Sequence, residues 1–185
     1  MQKRSHKLLA KTLLAQHGGF GSQYRDLAFL FGSFQPDCNP LSYLKGSLRG
    51  RTFHGHDFSN SRHFIYRRIH RLQRRKCWHI WQYYTLGKLT HYLADAFTYA
   101  HSQQFPSDPH LHHQYESQLR RHFAAYLANY AIRQNTQCRN IPCALDKLHR
   151  KYLLSSATPL TDVQYILQAA ELLMTLCPPG HREAA

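Results

Sequence analysis

Acidic residues are scarce in this sequence, which has ten Asp and Glu against 24 Lys and Arg among its 185 residues. Long apolar runs are missing as well, since none approaches the roughly 20 residues of a membrane-spanning helix. The basic first residues precede an apolar stretch that is interrupted by Lys11, Thr12 and Gln16. We therefore expect a helix there rather than a signal peptide, and a cytoplasmic protein without a transmembrane segment.

The cysteines show no CxxC spacing, and their number is odd. They are Cys38, Cys77, Cys138, Cys143 and Cys177. An odd set without paired spacing argues against a structural disulfide framework and favours reduced thiols, as in a cytosolic protein.

The excess of basic residues gives a formal net charge of +14. One segment concentrates part of it, with Arg67, Arg68, Arg71, Arg74, Arg75 and Lys76. Such a charge favours an anionic partner. The candidates are a phosphate ester, an acidic membrane surface and nucleic acid. A solvated basic helix face explains the cluster equally well.

Apolar residues recur at helical spacing, and no strand-like alternation or internal repeat is present. With 43% hydrophobic residues, the chain is expected to fold as one all-α domain over residues 1–185. The first predicted helix runs from a Ser5 cap to Ala15 or Gln16, and the second covers Tyr24–Phe31 and is followed by a loop GSFQPDCNP. The third runs from a Ser61 cap to near Cys77, and the fourth from there to about Phe97. The last three cover His110–Arg133, residues 143–154, and the segment from a Thr161 cap to near Pro178.

Two pairs of metal-ligand side chains stand four residues apart. They are His91 with Asp95 and His112 with Glu116. Residues at this spacing share one face of a helix, so each pair can bind one cation from a rigid element. His101 lies six residues beyond Asp95, a rotation of about 240° on an ideal helix. We therefore expect His101 at or past the helix end, where it serves a second metal with the later pair.

The first pair needs further ligands, and the upstream segments offer several. The candidates are Asp37, His54, His56 and Asp57. Asp95 itself lies in the apolar stretch YLADAF, where an unpaired buried carboxylate is costly. A bound metal removes that cost, and so does a buried Arg or Lys.

Several segments together resemble one known family. In chain order they are SHKLLA, FQPDCNP, GHDF, GKLTHYLADAFTYAHS and HHQYE. They are similar to the zinc-dependent phospholipase C family, which S1/P1-type nucleases resemble in fold and zinc cluster. The similarity covers about residues 5–120. It implies a single-domain helical bundle of the phospholipase C / P1 nuclease type. The helical pattern adds C-terminal helices within 143–177, beyond the part that the resemblance covers.

The resemblance also implies a set of zinc ligands for two to three Zn²⁺ ions. The first ion would be bound by Asp37, His56, His91 and Asp95. The second would be bound by His101, His112 and Glu116, and the third by His6 with a second oxygen of Asp95. His54 is the rival of His56. In the family an amino terminus completes the third site and lies further ahead of the helix histidine than it does here.

The implied activity is zinc-dependent hydrolysis of a phosphoester, with water attacking phosphorus and Asp37 orienting or deprotonating that water. The substrate class left open is phospholipid or soluble phosphoester. A nuclease or nucleotidase on the same scaffold is one alternative, and a nonenzymatic metal- or nucleic-acid-binding protein is another. A fourth interpretation takes His56 with Asp57 as an HD-type phosphohydrolase pair, which leaves His112 and Glu116 unexplained.

Overall fold

The computed structural model describes residues 1–38, 58–130, 138 and 140–177 of the chain. These residues form seven α-helices and one 3₁₀ turn, without a β-strand among them. The elements are α1 (Lys3–His17), α2 (Gln23–Cys38), α3 (Phe58–Gln73), α4 (Ile80–Ala96), the 3₁₀ turn (Tyr99–His101), α5 (Pro109–Ala128), α6 (Ile141–Leu153) and α7 (Pro159–Met174). The predicted all-α fold is confirmed.

Side-chain caps fix several helix starts. Asp108 caps α5 by accepting a hydrogen bond from the N–H of His110 at 2.8 Å. Thr158 caps α7 by accepting one from the N–H of Thr161 at 3.2 Å. The prediction that Thr161 caps the last helix is therefore wrong by three residues. The Ser5 cap is wrong too, because α1 begins two residues earlier and buries Ser5 inside the helix.

The end of α2 differs most from the sequence prediction. The expected loop GSFQPDCNP begins as helix, and α2 continues through Pro36 to Cys38. A proline in the last turn removes only one backbone hydrogen bond. Pro36 is also buried, so packing of its ring offsets part of that loss. Asp37 consequently lies on the last turn of a helix and not on a loop.

Helices α2 and α4 touch through two glycines. A Cβ on Gly87 would lie 2.1 Å from the carbonyl oxygen of Phe29, and one on Gly32 would lie 2.2 Å from that of Tyr84. Only glycine permits backbones this close. The contact brings the C-terminal turn of α2, with Asp37, against the middle of α4, where His91 lies.

Helix α3 has an apolar face and a separate basic face. Ile65, Ile69 and Leu72 are buried in the core, whereas Arg67 and Arg71 are exposed. In the described part of the chain, no helix combines the length and hydropathy needed to cross a bilayer.

Candidate metal centre

His6, His91 and Asp95 form a fully buried donor group, here called the first donor group. Each of these side chains is at most 2% exposed. Asp95 Oδ1 lies 3.2 Å from His6 Nε2, and Asp95 Oδ2 lies 3.1 Å from His91 Nε2. The four-residue spacing on α4 therefore places His91 and Asp95 together, and the first turns of α1 bring His6 onto them.

The two imidazole rings of this group are stacked, with centroids 3.8 Å apart. Burial, with a smaller effect of His91, lowers the pKa of His6 to about 3. His6 is therefore neutral at physiological pH, and its ring nitrogens are suited to metal binding without loss of a proton.

The orientation of His91 is set by α2. Its Nδ1 lies 3.0 Å from the carbonyl oxygen of Ser33, and because a carbonyl only accepts, Nδ1 carries the proton. Its Nε2 then faces one oxygen of Asp95 at 3.1 Å and one oxygen of Asp37 at 3.6 Å. A histidine anchored by a carbonyl oxygen in this way is a common metal ligand, and Nε2 with the two carboxylates is an arrangement that suits a cation held between them.

His101, His112 and Glu116 form the second donor group, which is half-buried. Glu116 Oε1 lies 3.3 Å from His101 Nε2 and 3.5 Å from His112 Nε2. The predicted position of His101 past the helix end is confirmed, because the 3₁₀ turn that follows α4 carries it. Helix α5 places the other two at four-residue spacing. Potential ligand atoms within each donor group all lie within 4.8 Å of one another.

The amino group of Met1 lies between the two donor groups. Its nitrogen is 2.7 Å from Asp95 Oδ1 and 3.1 Å from Glu116 Oε1, and it also contacts His101 Nε2. Burial acts to lower the pKa of this amine, but attraction to Asp95 and Glu116 outweighs it and the pKa is raised. A positive charge thus sits where donors of both groups converge. The resemblance pointed to an amino terminus at the site of His6 and Asp95, whereas no residue spacing predicted its contact with Glu116.

The charge of the centre keeps its acids ionised. The pKa of Asp95 lies well below its usual range, because the Met1 amine and the histidines outweigh the opposing effect of burial. Burial likewise opposes the shift at Glu116, but hydrogen bonding to His101 and the nearby Met1 amine lower its pKa to about 2. The centre therefore offers two anionic ligands across the physiological pH range.

Asp37 completes the described part of the centre. Its side chain is 16% exposed, and burial raises its pKa. Among the described residues no group donates a hydrogen bond to the buried Asp37 Oδ2. The remaining predicted ligand, His56, lies outside the described residues, as do its alternatives His54 and Asp57.

The donor set of imidazole nitrogens and carboxylate oxygens suits Zn²⁺. The sequence profile of the family described as zinc dependent phospholipase C matches residues 5–158. The chain belongs to the zinc-dependent phospholipase C family. Its family membership supports a phosphoesterase of this type that uses zinc. A search of curated proteins and a search of solved structures each returned no match.

The match to the zinc-dependent phospholipase C family ends before α7, yet α7 supports the second donor group. Asp162 of α7 is fully buried and accepts hydrogen bonds from the backbone N–H of Tyr99 and the hydroxyl of Tyr115, both at 2.9 Å. It accepts a third from the hydroxyl of Tyr152 at 2.8 Å. Tyr99 is the first residue of the 3₁₀ turn that contains His101, so its hydrogen bond to Asp162 holds that turn in position. No residue pattern indicated this role of Asp162.

Replacing Asp162 by Asn is expected to change how stability depends on pH. Burial raises the pKa of Asp162 to about 6, from an ordinary value of 3.8. A raised carboxyl pKa stabilises the fold fully below about pH 4, and this contribution is lost as pH rises through about 6. The shift corresponds to about 3 kcal/mol. The quantity to compare, in zinc-free protein, is the unfolding free energy of the wild type minus that of Asp162→Asn. This difference should fall by about 3 kcal/mol as the pH rises from about 4 to above about 6.

Urea unfolding at several pH values measures this difference. Tyr152→Phe is the matched control, because it removes one donor to Asp162 and keeps the titrating carboxyl. That variant should keep a fall of at least this size, because the Tyr152 hydroxyl acts to lower the pKa of Asp162. A difference between wild type and Asp162→Asn that is constant with pH would contradict the predicted titration.

Proposed function

We propose that this protein is a zinc-dependent phosphodiesterase that binds two or three Zn²⁺ ions and uses water to cleave a phosphoester of the phospholipase C type. The main support for the proposal is that carboxylates from both donor groups lie close together around the Met1 amine. Asp95 Oδ1 and Glu116 Oε1 belong to different groups, yet both lie within 3.1 Å of that one nitrogen. Such proximity is what a cluster of ions with shared carboxylates requires.

The proposed ligands follow the donor groups. One ion is held by Asp37, His91 and Asp95 with His56, a second by His101, His112 and Glu116, and a third by His6 and Asp95. When bound, zinc supplies the positive charge that stabilises a developing charge on phosphate oxygens and activates water.

The chain's own residues hold that chemistry in place. Ser33 fixes the tautomer of His91 through its carbonyl oxygen, and Asp162 fixes the turn of His101. Asp37 Oδ2 is the carboxylate oxygen best placed to take the proton from the attacking water. Support for this role comes from its position at the edge of the centre, where the described residues leave that oxygen without a donor.

An open cleft of about 450 Å³ adjoins the second donor group between α1 and α5. Glu116 lines it together with the basic side chains of Lys3, Arg4 and Arg120. Three cations beside a metal ligand favour an anionic substrate, since a phosphate is attracted to such a cleft before it reaches the centre.

The proposal predicts zinc-dependent hydrolysis of a soluble chromogenic phosphodiester, and Asp37→Asn is its most informative variant. If Asp37 takes the proton, the variant should lower kcat by about 10²- to 10⁴-fold. Zinc content should fall by less than one ion per chain, because His91, Asp95 and the proposed ligand His56 still hold the ion that Asp37 contacts. Initial rates and elemental analysis on the same preparation measure both quantities.

Lys147→Gln, an exposed change on α6, serves as a control for handling and should leave the rate unchanged. Loss of an ion in Asp37→Asn would show that Asp37 acts mainly as a ligand. A wild type that contains zinc but hydrolyses no phosphomonoester, phosphodiester or nucleic acid would refute the enzymatic proposal.

The exposed basic face of α3 supports one second candidate, a nuclease or nucleotidase on the same scaffold. Arg67 and Arg71 are exposed there, as are Arg74 and Arg75 beyond its end. Hydrolysis of single-stranded DNA or RNA that weakens steeply as salt rises would favour this candidate.

A further inference from the structure

Helices α2 and α4 carry an exposed apolar stripe at their N-terminal ends. Tyr24, Leu27 and Phe31 recur at three and four residues on α2 and are 64%, 59% and 51% exposed. On α4, Ile80 is 50% and Trp81 is 72% exposed. Each of the two helices thus exposes several large apolar side chains, and groups of such side chains mark interaction sites.

Ring contacts join the two stripes into one surface. The rings of Phe31 and Tyr84 are stacked with centroids 6.0 Å apart, and Trp81 meets the same Tyr84 ring edge-on at 6.0 Å. Phe34 continues the surface from Phe31 at 5.6 Å. We call this surface the aromatic ridge, and its members are Tyr24, Leu27, Phe31, Phe34, Ile80, Trp81 and Tyr84.

Lysines flank the aromatic ridge. Lys7 Nζ lies 4.3 Å and Lys3 Nζ 5.2 Å from the centre of the Phe34 ring, and Lys88 Nζ lies 5.7 Å from that of Tyr84. Of the two carboxylates on α2, Asp26 accepts a hydrogen bond from the backbone N–H of Phe20 at 2.8 Å, and Asp37 faces His91 in the metal centre. The surface around the ridge is therefore cationic.

The aromatic ridge leads to the metal centre. It follows α2 from Tyr24 to Phe34, about 15 Å along the helix axis, and ends one turn before Asp37. Lys3, whose amine lies over the Phe34 ring, also lines the cleft beside Glu116. A surface that rests on the ridge would thus lie close to the mouth of the centre.

We propose that the aromatic ridge and its lysines dock this protein on a phospholipid surface that contains anionic lipids. Trp and Tyr side chains favour the headgroup region of a bilayer, aliphatic side chains such as Leu27 and Ile80 enter its apolar edge, and lysines attract anionic headgroups. The aliphatic members favour lipid over stacked nucleic-acid bases, which need aromatic faces and positive charge. The role of docking, which is to bring the centre to a lipid substrate, rests on the proposed phospholipase activity. Binding to the lipid surface itself does not require turnover.

Co-sedimentation with vesicles tests the inference on zinc-loaded full chain in short incubations at low temperature. Wild type should bind vesicles of phosphatidylcholine with phosphatidylserine, and bind vesicles of phosphatidylcholine alone at least about tenfold more weakly. The double variant Phe31→Ser with Trp81→Ser should bind the anionic vesicles at least about tenfold more weakly than wild type. Lys7→Gln with Lys88→Gln should do the same through charge.

Two matched controls keep the test specific. Leu153→Ser with Leu154→Ser removes two apolar side chains that are 54% and 90% exposed elsewhere on the surface. Lys147→Gln with Lys151→Gln removes two exposed charges of α6. Both controls should bind vesicles as wild type does, and all variants should hydrolyse a soluble phosphodiester at the wild-type rate.

Several results would overturn the inference. One is wild-type protein that does not bind anionic vesicles. Another is a loss of vesicle binding in the control variants that equals the loss in the ridge variants. Wild-type dimers that dissociate in Phe31→Ser with Trp81→Ser would assign the ridge to a second copy of the chain. Loss of single-stranded DNA binding without loss of vesicle binding would assign it to nucleic acid. Failure of the proposed enzyme activity is distinct, since it would appear as absent turnover with vesicle binding intact.

Discussion

Asp95→Asn is expected to remove at least one zinc ion per chain and to weaken the binding of the remaining zinc more than about 100-fold. Loss of an outer partner of a metal ligand already costs about 10- to 100-fold in affinity, and Asp95 serves the centre with both oxygens. Its Oδ1 faces His6 and the Met1 amine, whereas its Oδ2 faces His91. The amide of Asn keeps the size but loses the negative charge, and its nitrogen cannot act as such a ligand.

Zinc per chain by elemental analysis, followed by a chelator titration, measures this loss. Asp146→Asn is the matched control, because Asp146 is also a helical aspartate in contact with other side chains and belongs to neither donor group. It accepts a hydrogen bond from Tyr66 at 2.6 Å and pairs with Arg62 at 2.6 Å. That variant should keep the full zinc content. Equal zinc in wild type and Asp95→Asn would show that the assigned centre is not the zinc site.

His112→Ala is expected to remove one ion selectively. It deletes one of two imidazoles of the second donor group and leaves His6, His91 and Asp95 unchanged. A zinc site with one histidine and one carboxylate has too few protein ligands for the usual coordination. Zinc content should therefore fall by one ion per chain, and hydrolysis of a phosphodiester should fall with it.

His113→Ala provides the comparison for this variant. His113 is the next residue on α5, is exposed, and does not belong to either donor group. Its removal should leave the zinc content unchanged. If His112→Ala keeps every ion, or if His113→Ala loses one, the second donor group is wrongly assigned.

The sequence predicted the parts of the centre that depend on local helix geometry. The spacing of His91 with Asp95 and of His112 with Glu116 predicted which side chains share a face, and the six-residue step to His101 predicted the helix end. Both follow from the 3.6-residue period, which needs no tertiary contact. The ligand assignment itself and the role of His56 stay predictions, as do the cytoplasmic location and the single domain over 1–185.

The parts that the sequence missed depend on packing between distant segments. Local propensity ends a helix before Pro36, but burial of that residue favours the continuation of α2 to Cys38. The Met1 amine reaches Asp95 only because α1 packs beside α4. Asp162 joins tyrosines of three other elements, and no periodicity encodes such a meeting. Tertiary contacts of this kind override or add to local signals.

Zinc content per chain, measured by elemental analysis on protein purified without chelator or affinity tag, tests the central claim most directly. The donor groups predict two or three zinc ions for each chain. Protein that holds no zinc after zinc is supplied would contradict a zinc centre built from these residues.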